Sequence, residues 1–452
     1  MKTILLFLLL VLNNIVFSHN VTDNDISIKI EQYLNRLHNN GRFNGNLLVA
    51  RGDSILYNGS FGLANKELNV ANKGSTKFLI GSITKPFTAL GILLLEKEGK
   101  LKLEDKLSKY YSDFQAGDSI TIEHLLMHTS GISDYKALPD WKEDSKSDLT
   151  TPRRTSEKMS KLPLLFQPGT SFRYSNVGYI LLGIIIENVS GQSFDKYILE
   201  NILEPLALKN TGIIDNSNVV LNLASGYSTN LRETLKAEYI NYFQPFSSGN
   251  MYSTTYDLWQ FSKAVVKGKL LPLEKTNKIF ESGKFYGFGW GKRDYEGTVA
   301  YGHYGGMNGF VGAITYIPHG EYFICILTND DNTPKIRLTT DLVSIIHGRT
   351  IVLPENTKLI NLPNEVRQQI IGNYLIKNNN ILQVFEEQGH IYLQESGQDK
   401  LELFPYNDYM FSFSLLEFNV VFEKLEHDKM QVLKFVGKDT LLTATRINVP
   451  SD

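Results

Sequence analysis

Apolar positions along the first 350 residues fall into recognisable periods. Ile26, Ile28, Ile30, Tyr33, Leu34 and Leu37 predict an amphipathic helix. Residues 46–50 and 55–61 are strand-like runs either side of Gly52-Asp53, which predicts a β-hairpin. Residues 87–95 and 181–189 are apolar or small at nearly every position, as buried helices are. Thr254, followed three residues on by Asp257 and then by Leu258, Trp259 and Phe261, predicts a capped helix start. Residues 300–310 are rich in glycine, and 311–328 alternate into strand-like runs. Strands therefore stand at both ends of this region and helices between them. That order predicts a sheet built from both chain ends with a helical region inserted. Residues 140–161 break the pattern, because 11 of the 22 are charged. They predict a surface excursion or lid.

The pattern changes after Pro354. Short strand-like runs at 374–376, 381–385, 391–394, 401–404, 411–415, 420–422, 432–435 and 441–445 are separated by turn signals such as Lys377-Asn378-Asn379-Asn380. They predict a small antiparallel barrel or sandwich over 364–452, joined by a linker at 356–363 to a larger unit over 19–355. At the other end, Lys2, an apolar run at 4–12 and Val16-Phe17-Ser18 read as a secretory signal over 1–18, with an uncleaved anchor as the alternative. The run is too short to span a bilayer unaided. The protein is expected outside the cytoplasm, secreted or periplasmic.

Composition narrows the field. With 42% hydrophobic and 21% charged residues, the chain is neither disordered nor a polytopic membrane protein. A net charge of -2 gives no reason to expect a nucleic-acid partner. The single cysteine, Cys325, allows no internal disulfide and no cysteine zinc site, and its apolar surroundings predict an inert core residue. His124 and His128 have metal-pair spacing, but Leu125 stands where a glutamate would follow and no third ligand is evident. Gly287, Gly289 and Gly291 are wrongly spaced for a nucleotide loop and predict a packed strand. No metal or cofactor is called for.

Three short segments carry the candidate chemistry. In Gly81-Ser82-Ile83-Thr84-Lys85-Pro86, Ser82 and Lys85 share a helix face. Pro86 places them near the helix start, where backbone N–H groups favour negative charge. The apolar helix behind would desolvate Lys85, lower its pKa and let the amine take the serine proton. In Tyr174-Ser175-Asn176, the phenol is a candidate proton relay, and Asn176 a donor to a substrate amide. In His303-Tyr304-Gly305-Gly306, glycines on a strand admit a close substrate backbone, beside a residue able to assist the relay.

Ser-x-x-Lys, then Tyr-x-Asn, then a basic residue before glycine, in this order, resembles the serine β-lactamase and penicillin-binding-protein superfamily, on its class C β-lactamase, DD-peptidase and esterase branch. The stretch 123–131 and Ser248-Gly249 with 253–258 also look like recurrent, non-catalytic parts of that branch. The resemblance implies an α+β fold, an antiparallel sheet flanked by helices with an all-helical insertion. It implies that Ser82 is acylated, Lys85 activates it, Tyr174 is general base and acid, and Asn176 holds the substrate. The N–H groups of Ser82 and Gly306, beside Gly305, would form the oxyanion hole. The penicillin-directed pattern has lysine, then Thr or Ser, then glycine in the third segment. Here His303 replaces the permanent cation that pairs with a substrate carboxylate, and Tyr304 replaces the small hydroxyl beside it. The expected partner is therefore a small ester or peptide, and the expected activity an esterase or D-amino-acid peptidase. The alternatives are a true β-lactamase or DD-carboxypeptidase, and a catalytically silent binding protein.

Overall fold

The computed structural model describes residues 22–447, apart from 113, 115, 145, 148–150, 230–232, 352–358, 377–379, 396–397, 399, 413–418, 424–431 and 437–439. The expected signal at 1–18 and part of the expected linker lie outside these residues. Among the described residues, no single helix is long and apolar enough to cross a membrane.

The larger unit is centred on a six-stranded antiparallel sheet. Its strands are β1 (Gly45–Arg51), β2 (Ser54–Phe61), β3 (Gly291–Tyr295), β4 (Thr298–Met307), β5 (Phe310–Ile317) and β6 (Tyr322–Thr328), in the order β3-β4-β5-β6-β1-β2. The N-terminal hairpin closes onto the later strands through the β1–β6 pairing, from Gly45↔Thr328 to Arg51↔Tyr322. Continuous apolar runs are needed because the sheet is buried on both faces. Leu48, Ala50, Cys325 and Leu327 point into one core, and Leu47, Val49, Ile324 and Ile326 into another.

The second core is covered by α1 (Asp23–Asn39), with Ile26, Ile30, Tyr33, Leu34 and Leu37 buried. Ile28 is exposed. Two residues from Ile26 and Ile30, it falls off the 3.6-residue face. The first core holds the helical region: α2 (Thr84–Lys97), α3 (Ile122–Leu126), α4 (Pro152–Ser160), α5 (Asn176–Ser190) and α6 (Thr255–Val266). α2 and α5 are buried along most of their length, which explains their lack of a polar face. At the start of α6, Thr254 accepts from the Asp257 N–H, but the Asp257 carboxylate turns instead to Asn210 and Thr211. The polar stretch 140–161 is not simply a lid. It contains α4, which buries Thr155, Ser156 and Met159 against the helical core, while Lys158 pairs with Asp140 and Asp144 on the outside.

Residues 372–447 form a closed barrel, β7 (Gly372–Ile376), β8 (Ile381–Glu387), β9 (His390–Glu395), β10 (Leu401–Pro405), β11 (Met410–Ser412), β12 (Asn419–Glu423), β13 (Val432–Val436) and β14 (Thr440–Ile447). β14 pairs back onto β7, from Asn373↔Ile447 to Ile376↔Ala444. Closure removes the exposed edges that a sandwich of such short strands would leave. Its interior is a third core, including Tyr374, Leu403 and Phe422.

Candidate active site

Ser82 lies in a 3-10 turn, Gly81–Ile83, that runs directly into α2. Lys85, in the first turn of α2, is fully buried. Its Nζ lies 3.0 Å from Ser82 Oγ, 2.8 Å from Asn176 Oδ1 and 2.9 Å from the Ser248 carbonyl. Carbonyl oxygens accept and never donate. Two amine protons are thus committed to Asn176 and Ser248, and the third position faces Ser82. As an ammonium, Lys85 donates a proton there. As an amine, it presents a lone pair there and can take the serine proton. Burial lowers the Lys85 pKa from 10.5 to about 7, against the attraction of Asp134. Both forms are therefore populated near neutral pH.

Tyr174 hydrogen-bonds the Ser82 side chain and is pushed well above the ordinary phenol value, chiefly by burial. It is a neutral phenol where Lys85 titrates. The Lys85 ammonium lies 4.8 Å from its ring centroid. His128 anchors the segment from behind. Its carbonyl accepts from the Arg173 N–H, its Nδ1 accepts from the Ser175 N–H at 3.2 Å, and its ring lies 4.3 Å from the Tyr174 ring. This needs an unusual backbone, φ 58° at His128. Burial holds the imidazole neutral. With Nδ1 accepting, the proton sits on Nε2, which is buried without a hydrogen-bond partner. His124 accepts from the Thr121 N–H at the start of α3.

β4 brings the third segment alongside. Its pairing with β3 ends at Gly291↔Gly302, so residues 303–307 run past β3 next to the Ser82 turn. His303 Nδ1 lies 2.6 Å from the Tyr304 carbonyl, and Nε2 2.9 Å from the Tyr286 hydroxyl. Nδ1 must therefore carry the proton, and Tyr286 donates to Nε2. Burial and the nearby Lys85 drive the His303 pKa to about 3, so His303 is a neutral group of fixed tautomer. Tyr304 does not stand in for a substrate-binding hydroxyl. Side chains alternate along a strand, and Tyr304 points to the opposite sheet face. There it meets the Tyr295 hydroxyl at 2.9 Å and the Arg293 guanidinium.

The glycines allow backbone-to-backbone contact. A Cβ on Gly305 would lie 2.0 Å from the Ile80 carbonyl oxygen, and one on Gly81, at φ 49°, 2.7 Å from Gly306 N. Gly306 itself has open space where a side chain would stand. Outside the buried tyrosines, Phe172 and Phe285 are both substantially exposed with ring centroids 6.5 Å apart. Phe172 also lies 6.3 Å from the Tyr286 ring.

The structure thus gathers Ser82, Lys85, Tyr174, Asn176, His303, Gly305 and Gly306 in one place. Sequence reasoning missed Asp134, Tyr286, His128 and the Ser248 carbonyl. His128 and Ser248 stood in stretches noted as non-catalytic, and Asp134 three residues beyond one. Tyr286 carried no signal. Gly287 and Gly289 fall in a packed loop leading into β3 rather than in a strand, while Gly291 is the first residue of β3. A Cβ on Gly289 would meet Pro86 at 2.9 Å.

The Beta-lactamase family profile matches residues 30–345. Penicillin-binding protein 4* of Bacillus subtilis (strain 168) is 30% identical over 412 residues, 84% of this chain and 90% of that protein. Teichoic acid D-alanine hydrolase of Staphylococcus aureus (strain MRSA252) is 27% identical over 69% of this chain and 75% of its own. A D-stereospecific amidohydrolase from Streptomyces sp. superposes with a TM-score of 0.60 at 25% identity, covering 70% of this chain and 97% of that one.

Proposed function

The chain belongs to the Beta-lactamase family, and from that premise we propose that it cleaves short esters or amides, the D-aminoacyl class among them, through an acyl-enzyme on Ser82. The observation that carries this choice of substrate is the neutral His303, hydrogen-bonded at both ring nitrogens. A group held neutral offers no cation to a terminal carboxylate, the feature that penicillins and D-Ala-D-Ala peptides share. A D-alanyl ester or a D-aminoacyl amide has no such carboxylate. The names of the teichoic acid D-alanine hydrolase and the D-stereospecific amidohydrolase support the same class. Phe172 and Phe285 add an apolar lip suited to an uncharged portion of the substrate.

In this reading, Ser82 Oγ bonds to the substrate carbonyl carbon while its proton passes to Lys85 Nζ. The carbonyl oxygen, now negative, is received by the N–H groups of Ser82 and Gly306. Losing one such donor raises a barrier by roughly 3–4 kcal/mol. Tyr174 gives its hydroxyl proton to the leaving oxygen or nitrogen as the bond to carbon breaks, and the Lys85 ammonium beside its ring returns a proton to the phenolate. Water then attacks the acyl-enzyme by the same route in reverse. The apolar run at residues 4–12 supports a setting outside the cytoplasm.

The test is intact-protein mass spectrometry after incubation with a fluorophosphonate and, separately, with benzylpenicillin. The expected result is a phosphonyl adduct on wild type, none on Ser82→Ala, and no lasting penicilloyl adduct. A stable penicilloyl adduct, or rapid turnover of penicillin, replaces this reading with the peptidase or β-lactamase. No adduct of any kind on folded protein replaces it with the binding protein.

A further inference from the structure

Asn176 Oδ1 accepts a hydrogen bond from Lys85 only because its amide faces one way round. An amide has a donor end and an acceptor end of nearly equal size. If Asn176 turned over, it would present N–H groups to the amine of Lys85, leaving donor against donor. What holds it is Asp134. Asp134 Oδ2 accepts from Asn176 Nδ2 at 2.9 Å and from the Asn176 backbone N–H at 2.8 Å. Asp134 itself is fixed at the start of the 3-10 turn Tyr135–Ala137, where its Oδ1 accepts from the Lys136 N–H.

We propose that Asp134 is a positioning residue for the reaction, orienting the Asn176 amide so that Lys85 aims its free position at Ser82. The inference rests on Ser82 being the nucleophile. Asp134 acts in two ways that separate by substitution. Its oxygen fixes the amide, and its negative charge favours the protonated form of Lys85. The other titratable groups facing Lys85 are His128, His303, Tyr174 and Tyr179, of which both histidines are held neutral by burial. Asp134 is thus the acid in this set, and its removal acts on Lys85 in one direction, toward the free amine at lower pH.

The experiment uses full-length wild type, Asp134→Asn and Asp134→Ala. Fluorophosphonate labelling of wild type is read first. Steady-state hydrolysis of p-nitrophenyl acetate then follows, with kcat and KM taken across the acid limb. Asp134→Asn keeps shape and an acceptor oxygen but drops the charge. It should keep kcat within about 10-fold and move the acid limb to lower pH. Asp134→Ala frees the amide and should lower kcat by roughly 10- to 100-fold with a smaller change in KM. If wild type is not labelled, the nucleophile assignment has failed, and the Asp134 inference falls with it. If wild type is labelled and both variants keep its kcat and pH profile, the positioning inference alone is wrong. Loss of kcat in both with an unmoved acid limb marks a packing role and also overturns it. Should Asp134→Ala not fold, the isosteric Asp134→Asn profile decides.

Discussion

Replacing Lys85 with methionine tests the central electrostatic claim without any substrate. Methionine keeps the unbranched shape and removes the charge. In the folded protein the amine titrates at about 7, against 10.5 when solvated. At about 1.36 kcal/mol per pH unit, that difference is about 5 kcal/mol. The sign follows from proton counting. Between pH 7 and 10.5 the unfolded amine holds a proton that the folded amine has released, so stability rises with pH across that window. Near and below pH 7 nearly the whole penalty applies, and above 10.5 none remains. Methionine removes the penalty but strips a donor from Asn176 Oδ1 and from the Ser248 carbonyl, roughly 1–3 kcal/mol each.

At pH 7 these effects nearly cancel, and Lys85→Met should be about as stable as wild type. At pH 9.5 only about 1 kcal/mol of the penalty is left, so the lost hydrogen bonds dominate and the variant should be the weaker. Wild type should therefore gain on the variant by about 3 kcal/mol between pH 7 and 9.5. Urea unfolding of both proteins at both pH values measures this, and equal m-values make the midpoints comparable. His128 and His303, which feel the Lys85 charge, are held neutral by burial across this pH range, and groups that do not feel it cancel in the difference. A gap between the two proteins that stays constant with pH would show that Lys85 titrates near its ordinary value, and the argument for a neutral amine as base would collapse.

The remaining predictions concern activity. The kcat/KM for an uncharged ester should rise through pH of about 7 as Lys85 loses its proton, and a pH profile flat through that region contradicts the assignment of the base. Gly305→Ala forces a methyl to 2.0 Å from the Ile80 carbonyl. It should lower kcat by at least about 10-fold through displacement of the Ser82 turn, whereas unchanged ester kinetics would mean that β4 plays no part in the reaction. His303→Lys should raise activity toward carboxylate-bearing β-lactams relative to esters. It should also move the acid limb lower, because a second cation faces Lys85. Unchanged ratios across both substrate classes refute the specificity argument.

The elements that sequence made legible are those whose periodicity is dictated by burial on known faces. The continuous runs of β1 and β6 and of α2 and α5 are buried on both sides or all round, so a lack of alternation is itself the signal. Eight short runs after residue 370 likewise revealed the barrel, although closure itself rests on the β14–β7 pairing. The Ser82, Tyr174 and His303 segments were legible because each pairs reactive side chains at a short, fixed spacing. The sequence also showed that Tyr304 lacks the small hydroxyl of the penicillin-directed pattern, and the structure adds where the side chain goes: neighbours on a strand face opposite ways, so with His303 on the Ser82 side Tyr304 turns to Tyr295 on the other sheet face.

The groups that escaped notice are the ones that determine what Lys85 does. A backbone carbonyl such as that of Ser248 has no residue identity, and any side chain at position 248 would supply it. Asp134 exerts its influence through the turn of an amide 42 residues away, a relation that no local pattern encodes. A serine and a lysine three apart are common, and their spacing alone does not make the lysine a base. Here the amine is buried, two of its positions are filled by pure acceptors, and the one left over faces the serine. That assignment depends on Asn176 presenting its oxygen, and so on a carboxylate that never touches the nucleophile. In the reading we propose, the motif therefore supplies the reacting atoms, while the supporting carbonyl and carboxylate set the direction in which the proton moves.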